Sequence, residues 1–246
     1  MTTRQGSDLD GRRVVIAGGT SGIGEAAAAA FVGLGARVLV TGRDADRLAA
    51  STARSGASGL VADAGDPAGR AALADAAGTI DVLVLALSGA SGAGPFAELD
   101  LGRLRAAFDG KLWPQLEVLQ ALLGQLNEDA AIVFVTATSA RAAMPGTTGL
   151  AALNGALESA IGPLATELAP RRVNAISPGV IDTPWWSTMP AEARAATHDG
   201  IAATVPAGRV GAAEDVAQAI VFAATNPYMT GVVVPVDGGL ILARGT

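Results

Sequence analysis

Short apolar runs rich in β-branched residues alternate with helical segments along the whole chain. The periodicity predicts helices at about 22–34, 44–54, 67–78, 98–126, 149–169 and 213–224. Strands separated by helices need right-handed crossovers, which produce a parallel sheet covered on both faces. The pattern therefore predicts an α/β fold, a single domain over residues 1–246 with a doubly wound, seven-stranded parallel sheet. The strands are predicted at Arg13–Ala17, Ala36–Thr41, Gly59–Ala62, Asp81–Ala86, Ala130–Thr136, Arg172–Ser177 and Val232–Val236.

One segment, Pro184–Pro206, interrupts this alternation and is expected to be a long loop. A loop of such length inside a compact domain usually covers or forms a binding site. We therefore expect a substrate lid at about 184–206. Two alternatives stay open for Trp185 and Trp186. One of them could form a wall of the substrate pocket, or one could anchor the lid while the other covers a subunit contact. His198, in a polar stretch of the segment, is expected to be exposed.

The composition limits the chemistry of the chain. Half of its residues are hydrophobic but only 4% are aromatic, so the core must consist of Ala, Val, Leu and Ile. Such a core suits helices packed closely on a parallel sheet. The absence of cysteine excludes disulfides and thiolate catalysis, and the single histidine excludes a multi-histidine metal site. We therefore expect no metal.

Charge and hydropathy indicate the class of partner. The net charge of −6 argues against nucleic acid, because phosphate binding needs a basic face. The first residues are polar and lack the apolar segment of a signal peptide, and no apolar stretch approaches the roughly 18 residues of a membrane span. These features predict a cytoplasmic protein that acts on a small molecule, with no membrane or nucleic-acid partner.

A glycine-rich turn joins the first predicted strand to the first helix. Glycines at 18, 22 and 24 allow a tight turn and a close approach to a pyrophosphate, which would lie on the helix N-terminus. A chain with 32 glycines can contain such a turn by chance. Its position between an apolar strand and an Ala-rich helix instead favours a Rossmann-type dinucleotide site. The turn residues expected to contact the cofactor are Gly18, Thr20, Ser21, Gly22, Ile23 and Gly24.

The end of the second strand bears on the choice of dinucleotide. An acidic residue there would accept hydrogen bonds from the adenosine ribose and repel a 2′-phosphate. The sequence instead reads Gly42-Arg43, with Asp44 as the first acid, and a guanidinium suits a phosphate. This favours NADP(H) over NAD(H). The alternative is that Arg43 only extends into solvent.

These features resemble the short-chain dehydrogenase/reductase family over nearly the whole chain. The glycine turn is similar to the family's Thr-Gly-x-x-x-Gly-x-Gly, with Ala17 in place of the threonine. Four further motifs occur in the family's order: Arg172–Gly179, Asp182–Pro184, Gly208–Gly211 and Val236–Gly239.

The resemblance implies further cofactor contacts. In the family, a residue after the third strand, here Asp63, holds the adenine ring. The Asn-Asn-Ala-Gly after the fourth strand reads Leu-Ala-Leu-Ser here, which assigns Ala86 to the cofactor. The turn after the sixth strand implies contacts to the nicotinamide carboxamide through the Ile181 backbone and Thr183. The residues that the resemblance assigns to this last turn are Pro178, Gly179, Ile181 and Thr183.

The family's proton relay of asparagine, serine, tyrosine and lysine is absent. By resemblance the tyrosine position falls on Leu150 and the lysine position on Asn154. The serine position falls on Ala137 and the asparagine position on Lys111. Since the chain holds one tyrosine, Tyr228, and one lysine, no register produces Tyr-x-x-x-Lys. The sequence predicts a divergent member of the family.

Lys111 and Asn154 occupy exchanged positions. In the family these two positions face each other across a water, so the exchange would return an ammonium to the same pocket from the opposite helix. Partial desolvation would move its pKa toward neutrality and make it a candidate proton donor. The alternative is a lone lysine on a solvated helix face. Candidates to replace the missing serine lie at or beyond the end of the fifth strand: Thr136, Thr138, Ser139 and Arg141.

These observations favour an NADP(H)-dependent oxidoreductase with a non-standard proton-delivery site, acting on an unidentified activated carbonyl, imine or alcohol. Two alternatives stay open: an inactive NADP(H)-binding sensor or scaffold, and a non-redox isomerase or cyclase that uses the same pocket. The predicted helix at 149–169 carries many small residues, and in the family this helix forms a dimer interface. The resemblance therefore implies a homodimer or homotetramer.

Overall fold

The computed structural model describes residues 9–89 and 92–242. Residues 1–8 of the polar N-terminal stretch lie outside these ranges, as do 90–91 and 243–246. The strands are β1 Arg13–Ala17, β2 Arg37–Gly42, β3 Ser58–Val61, β4 Ile80–Leu85, β5 Leu126–Val135, β6 Arg172–Pro178, β7 Ile181–Asp182, β8 Gly211–Ala212 and β9 Val233–Val236. The α-helices are α1 Gly22–Gly33, α2 Ala45–Ser55, α3 Pro67–Ala77, α4 Leu101–Ala121, α5 Thr148–Glu167, α6 Ala191–Thr204 and α7 Ala213–Thr225. Short 3₁₀ turns occur at Phe96–Glu98, Thr138–Ala140, Pro184–Thr188 and Leu240–Leu242.

The main sheet has seven parallel strands in the order β3-β2-β1-β4-β5-β6-β9. The strand order reverses between β1 and β4, which creates the switch point where open α/β sheets bind ligands. Strand β1 lies between β2 and β4, and its residue Val15 is opposite Leu39 on one side and Leu83 on the other. The prediction of a Rossmann-type, doubly wound, seven-stranded parallel sheet is confirmed.

Helices cover both faces of the sheet, as predicted. On one face, Leu83 and Phe134 pack with Leu153 of α5 and with buried side chains of α3 and α4. On the other face, Val84 packs with buried side chains of α1, α2 and α7. The central strands are buried on both sides, which explains why their sequences are continuous apolar runs rather than alternating ones.

The boundary between α4 and β5 differs from the prediction. The sequence pattern predicted one helix over about 98–126, but α4 spans 101–121 and β5 begins at Leu126. The carboxylate of Asp100 accepts hydrogen bonds from the backbone N–H groups of Gly102 and Arg103 and so fixes the helix start. At the other end, Leu126 is opposite Ile80, and the register shifts before the next pair. The irregular pairing explains why the start of β5 lacks a recognisable strand pattern.

The 184–206 segment is not the long loop that the sequence predicted. It contains the 3₁₀ turn Pro184–Thr188 and the 14-residue helix α6. None of the side chains of α6, all of which are described, is buried, so this helix lacks the apolar stripe that marks most helices in a sequence. The paired strands β7 and β8, of two residues each, were too short to predict. No helix in the described ranges is both long and apolar enough to cross a bilayer.

Candidate active site

The glycine turn after β1 forms a tight cradle against the end of β4. Gly18 has a φ of 91°, and a Cβ there would lie 2.7 Å from the carbonyl oxygen of Ala86. A Cβ on Gly24 would overlap the carbonyl oxygen of Gly18, so the connection from β1 into α1 requires glycine at both positions. A Cβ on Gly22 would lie 3.2 Å from the side chain of Thr183. The structure thus brings Ala86 and Thr183, both predicted cofactor contacts, against the glycine turn.

The N-terminus of α1 has the features of an anion site. Ser21 occupies the N-cap position in an extended conformation, and its side chain caps none of the described backbone N–H groups. The leading N–H groups and the helix dipole favour a negatively charged ligand. The one acidic residue in the first turn, Glu25, forms an ion pair with Arg54 of α2. The open helix end and the cradle fit the diphosphate of a dinucleotide.

Arg43 and Asp63 lie together at the ends of β2 and β3. The Nη1 atom of Arg43 is 3.7 Å from Oδ2 of Asp63, and the Arg43 side chain is 73% exposed. Asp63 is itself oriented, because its Oδ1 accepts a 2.9 Å hydrogen bond from the backbone N–H of Gly65. Arg43 is therefore exposed but held near Asp63. Since exposed ion pairs of this kind contribute at most about 1 kcal/mol, a phosphate could redirect the guanidinium at little cost.

The turn after β6 packs against the chain that follows β9. A Cβ on Gly179 would lie 2.7 Å from Cα of Asp237, and the backbone N–H of Gly179 donates to the carbonyl of Val236. Pro178 is the last residue of β6, and the buried Ile181 begins β7. The carbonyl oxygen of Ile181 already accepts a hydrogen bond from the indole of Trp186.

Two apolar side chains, those of Ala137 and Leu150, stand at the positions that the resemblance assigns to the family's serine and tyrosine. Ala137 follows β5 and Leu150 lies in the first turn of α5, and both are half-buried. A methyl group and an isobutyl group can neither polarise an oxygen nor transfer a proton. The chain's single tyrosine, Tyr228, is 98% exposed beyond α7 and does not replace the missing phenol.

Lys111 of α4 and Asn154 of α5 contact each other directly. The Nζ atom of Lys111 donates to Oδ1 of Asn154 at 2.8 Å and to the carbonyl oxygen of Thr136 at 3.1 Å. Lys111 is 7% exposed, so it does not lie on a solvated helix face. The amide Nδ2 of Asn154 donates to the carbonyl of Leu150 and, at 3.3 Å, to Oγ of Ser139. A hydrogen-bonded chain therefore runs from Lys111 through Asn154 to Ser139.

The environment of Lys111 changes its acidity. Burial disfavours the ammonium and lowers its pKa from 10.5 to about 8, while the negative charge of Glu158 opposes this effect. A group with this pKa is mostly protonated at neutral pH and yet releases its proton more readily than an ordinary lysine. This ammonium lies beside the end of β5, where it contacts the Thr136 carbonyl.

Gln115 and Glu158 belong to the same pocket, although the sequence analysis missed both. Gln115 follows Lys111 by one helical turn; its Nε2 donates to the carbonyl of Leu87 at 3.0 Å, and its buried Oε1 has no partner among the described residues. An orphaned buried acceptor is rare and marks a position for a donor such as water. Glu158 follows Asn154 by one turn. The spacing of four residues from Lys111 and Asn154 was the available signal.

The tryptophans of the 184–206 segment have different environments. Trp186 makes edge-to-face contacts with Trp185 and His198, at centroid distances of 4.7 Å and 5.4 Å, and donates to the carbonyl of Ile181 at 3.0 Å. Trp185 reaches the carbonyl of Gly89, beyond β4, at 3.4 Å. The expectation of an exposed His198 is wrong: the residue is half-buried against Trp186, and its Nε2 is enclosed. No local sequence pattern predicts this aromatic packing, because it depends on the fold of the segment.

Comparison with known proteins gives consistent matches over nearly the full chain. The family profile described as enoyl-(acyl carrier protein) reductase matches residues 17–241. An uncharacterized oxidoreductase of Methylorubrum extorquens is 33% identical, covering 95% of this chain and 99% of that protein. A glucose 1-dehydrogenase of Gluconobacter oxydans is 31% identical, over 94% of this chain and 92% of that protein. A small-chain dehydrogenase crystallised in complex with NADPH has 32% identity and a TM-score of 0.84, over 95% of this chain and all of that chain.

Proposed function

Because the chain belongs to the short-chain dehydrogenase/reductase family and is an oxidoreductase of that type, we propose that it is NADP(H)-dependent and that Lys111 is its proton donor. Its substrate would be an activated carbonyl, an imine or the corresponding alcohol. The observation that carries the proposal is the buried contact between Lys111 Nζ and Asn154 Oδ1, at the two exchanged positions.

Several residues support the choice of NADP(H). The cradle of Gly18 and Gly24 and the open N-terminus of α1 suit a diphosphate. The exposed guanidinium of Arg43 suits the 2′-phosphate, with Asp63 beside it for the adenosine. The NADPH complex of the relative with 32% identity supports the same cofactor. When bound, NADPH supplies the hydride for reduction.

Lys111 would supply the proton in the reductive direction. As the carbonyl carbon gains the hydride, the carbonyl oxygen takes a proton from the Lys111 ammonium, which becomes a neutral amine and regains a proton from solvent. Asn154 and the Thr136 carbonyl orient the ammonium through two hydrogen bonds. Ser139, bonded to Asn154, is half-buried and would take the place of the missing serine.

The missing phenol restricts the substrate. A positioned general acid contributes about 10²–10⁴-fold to a rate, and Ala137 and Leu150 contribute nothing of this kind. We therefore propose substrates whose acceptor carbon is already activated, such as enones, iminium ions or carbonyls beside electron-withdrawing groups. Simple unactivated ketones should be poor substrates.

A second candidate function is an NADP(H)-binding sensor or scaffold without turnover. It is favoured by the apolar Ala137 and Leu150, which remove two of the family's four relay groups. An isomerase or cyclase that uses the same pocket is a third candidate. These alternatives differ from the enzyme in what happens to the hydride of the cofactor.

The test is an assay with NADPH deuterated at its transferable position, across a panel of activated carbonyls and imines. Transfer of label to product supports the oxidoreductase; tight NADPH binding without transfer across the panel supports the scaffold. Product formed without NADPH consumption supports the isomerase.

With an accepted substrate, Lys111→Met should lower turnover by about 10²–10⁴-fold at little change in NADPH affinity. Lys111→Arg is the matched control, because it keeps the charge but holds its proton at any accessible pH. Unchanged turnover in Lys111→Met would remove Lys111 from the mechanism.

The quaternary structure is also a proposal. Members of this family commonly form oligomers, and we propose a homodimer or homotetramer through α4 and α5. Trp113 of α4 is 51% exposed, and Cβ atoms added to Gly155 or Gly162 of α5 would meet open space, so a second copy can approach closely. Light scattering coupled to size exclusion measures the assembly directly.

A further inference from the structure

A carboxylate with three partners lies one helical turn beyond Asn154 on α5. Oε1 of Glu158 accepts hydrogen bonds from Oγ of Ser177 at 2.7 Å and from Oγ1 of Thr136 at 3.0 Å. Oε2 accepts from Nε of Arg141 at 2.9 Å. The Glu158 side chain is only 9% exposed, whereas that of Arg141 is 37% exposed. The carboxylate therefore joins the ends of β5 and β6 to the chain that follows the 3₁₀ turn Thr138–Ala140.

Thr136 connects this ion pair to Lys111. Its carbonyl oxygen accepts from Nζ of Lys111, and its hydroxyl donates to Glu158. The ammonium contacts the end of β5 through the Thr136 carbonyl and helix α5 through Asn154. The 3₁₀ turn is connected to it through the bond between Asn154 and Ser139. Glu158 of α5 is the charged group that acts on the pKa of Lys111. Arg141, the residue after the 3₁₀ turn, forms an ion pair with Glu158.

We propose that Glu158 and Arg141 form a positioning pair that controls how tightly Lys111 holds its proton. The inference rests on the proposed function only for its kinetic consequence. Glu158 supplies a negative charge at low exposure, where an ion pair acts more strongly than in water. It stabilises the ammonium of Lys111 against the cost of burial. Arg141 neutralises part of that charge from the solvent side and thereby limits the effect. Neither residue touches the reacting atoms; both act through Lys111.

The alternative is that Glu158 only holds the hydroxyl groups of Thr136 and Ser177 in place. The two explanations predict different results for charge-removing substitutions. Glu158→Gln keeps an oxygen acceptor in the pocket but removes the charge, so Lys111 should lose its proton at lower pH. Arg141→Gln leaves the carboxylate less neutralised, so Lys111 should hold its proton to higher pH. A purely structural role predicts no such opposed pair of shifts.

The chain offers a direct measurement, because Lys111 is its only lysine. Protein labelled with ¹³C at the lysine Cε position gives one side-chain NMR signal, provided that any purification tag is free of lysine. The pH titration of that signal reports the protonation of Lys111 without substrate or cofactor. The wild-type midpoint should lie near pH 8. In Glu158→Gln it should fall by about one unit, and in Arg141→Gln it should rise by less, since that guanidinium is more exposed.

Glu167→Gln, at the exposed end of the same helix, is the matched control and should leave the midpoint unchanged. Circular dichroism establishes that each variant is folded. If Glu158→Gln fails to fold, the upward shift in Arg141→Gln decides the question alone. An unchanged midpoint in folded Glu158→Gln, a shift of both variants in the same direction, or an unchanged midpoint in Arg141→Gln would overturn the proposal.

The kinetic readout separates this inference from the proposed function. If Lys111 is the proton donor, the pH profile of reduction should move in each variant with the NMR midpoint. NMR midpoints that move in opposite directions while label transfer never occurs would uphold the positioning pair and refute the proposed reduction by NADPH. Label transfer with immobile NMR midpoints would uphold that reduction and refute the positioning pair.

Discussion

The dinucleotide cradle, at Gly18 and Gly24, and the pocket proposed for proton transfer, at Lys111 and Asn154, lie at the same edge of the sheet. They are built in different ways. The cradle consists of backbone: Gly18 and Gly24 leave space for atoms of the chain itself, and the N–H groups of α1 need no particular side chains. The pocket consists of side chains on α4 and α5, such as Lys111 and Asn154. A backbone site tolerates no change at its glycines. A side-chain site can exchange a residue on one helix for a residue on the facing helix and still return a charged group to the same place.

The largest effect should come from disturbing the cradle. Gly24→Ala would place a Cβ on the carbonyl oxygen of Gly18, so the turn must open. We expect NADPH affinity to fall by about 100-fold or more, equivalent to the loss of several backbone hydrogen bonds to a phosphate. Isothermal titration calorimetry measures it. Gly33→Ala, at the far end of the same helix with open space around its Cβ, is the control. Equal affinities for the two variants would refute the assigned site.

The next largest effect should be on the free energy of unfolding, because burying the Lys111 ammonium destabilises the folded state. Folding lowers the pKa of Lys111 from 10.5 to about 8, so between these values the unfolded chain binds more protons than the folded one. Stability should therefore rise with pH across this range, by up to about 3 kcal/mol from this group. Below pH 8 the penalty is constant. Urea unfolding of the wild type, with Lys111→Met as the reference that cancels all other titrations, measures the difference. A constant difference from pH 8 to 10.5 would show that the lysine is not desolvated.

A smaller effect is expected at the outer end of the cradle. Arg43→Gln removes the guanidinium proposed to meet the 2′-phosphate, and NADPH affinity should fall about tenfold, while NADH affinity should stay the same. Arg47→Gln is the control, because Arg47 lies one turn further along, exposed and paired with Asp44 at 3.4 Å. A parallel loss of affinity for both dinucleotides would place Arg43 outside the phosphate site.

The smallest effect should arise where the 184–206 segment meets the sheet edge. Trp185→Phe keeps an aromatic ring but removes the N–H that reaches Gly89 at the long distance of 3.4 Å. We expect KM for the substrate to rise about two- to threefold, with kcat unchanged, as for the loss of one weak hydrogen bond. Trp186→Phe, which loses the 3.0 Å bond to Ile181, should instead lower the melting temperature. If neither KM nor kcat changes in Trp185→Phe, the contact with Gly89 plays no part in covering the substrate.

The sequence predicted most of the fold because strands buried on both faces are read directly from continuous apolar runs. Strand β1 was predicted with the bounds that the structure shows. The end of α4 was missed, since the start of β5 pairs irregularly and carries charged residues. Helix α6 was missed because an Ala-rich helix with no buried side chain has no periodic signal.

The candidate site was predictable only for those residues that can be recognised from their type and their position in the sequence. The contact between Lys111 and Asn154 was expected from their exchanged positions. Because Lys111 is the only lysine of the chain, no other lysine could occupy the pocket. The bonds of Glu158 to Thr136, Ser177 and Arg141 depend on how α5 sits on the strand ends, which no local pattern encodes. The same holds for Gln115 and for the packing of His198 against Trp186.

If Lys111 gives up the proton during reduction, the pH dependence of a single turnover should follow the protonation of Lys111. Enzyme and NADPH are premixed, an accepted substrate is added, and the rate is followed from neutral to alkaline pH. We expect a level rate below pH 8 and a decline of about tenfold per unit above it, set by the pKa of Lys111 near 8. In Lys111→Met the rate should be low and without this decline. A wild-type rate that stays level far above pH 8, or a decline that persists in Lys111→Met, would show that Lys111 does not deliver the proton.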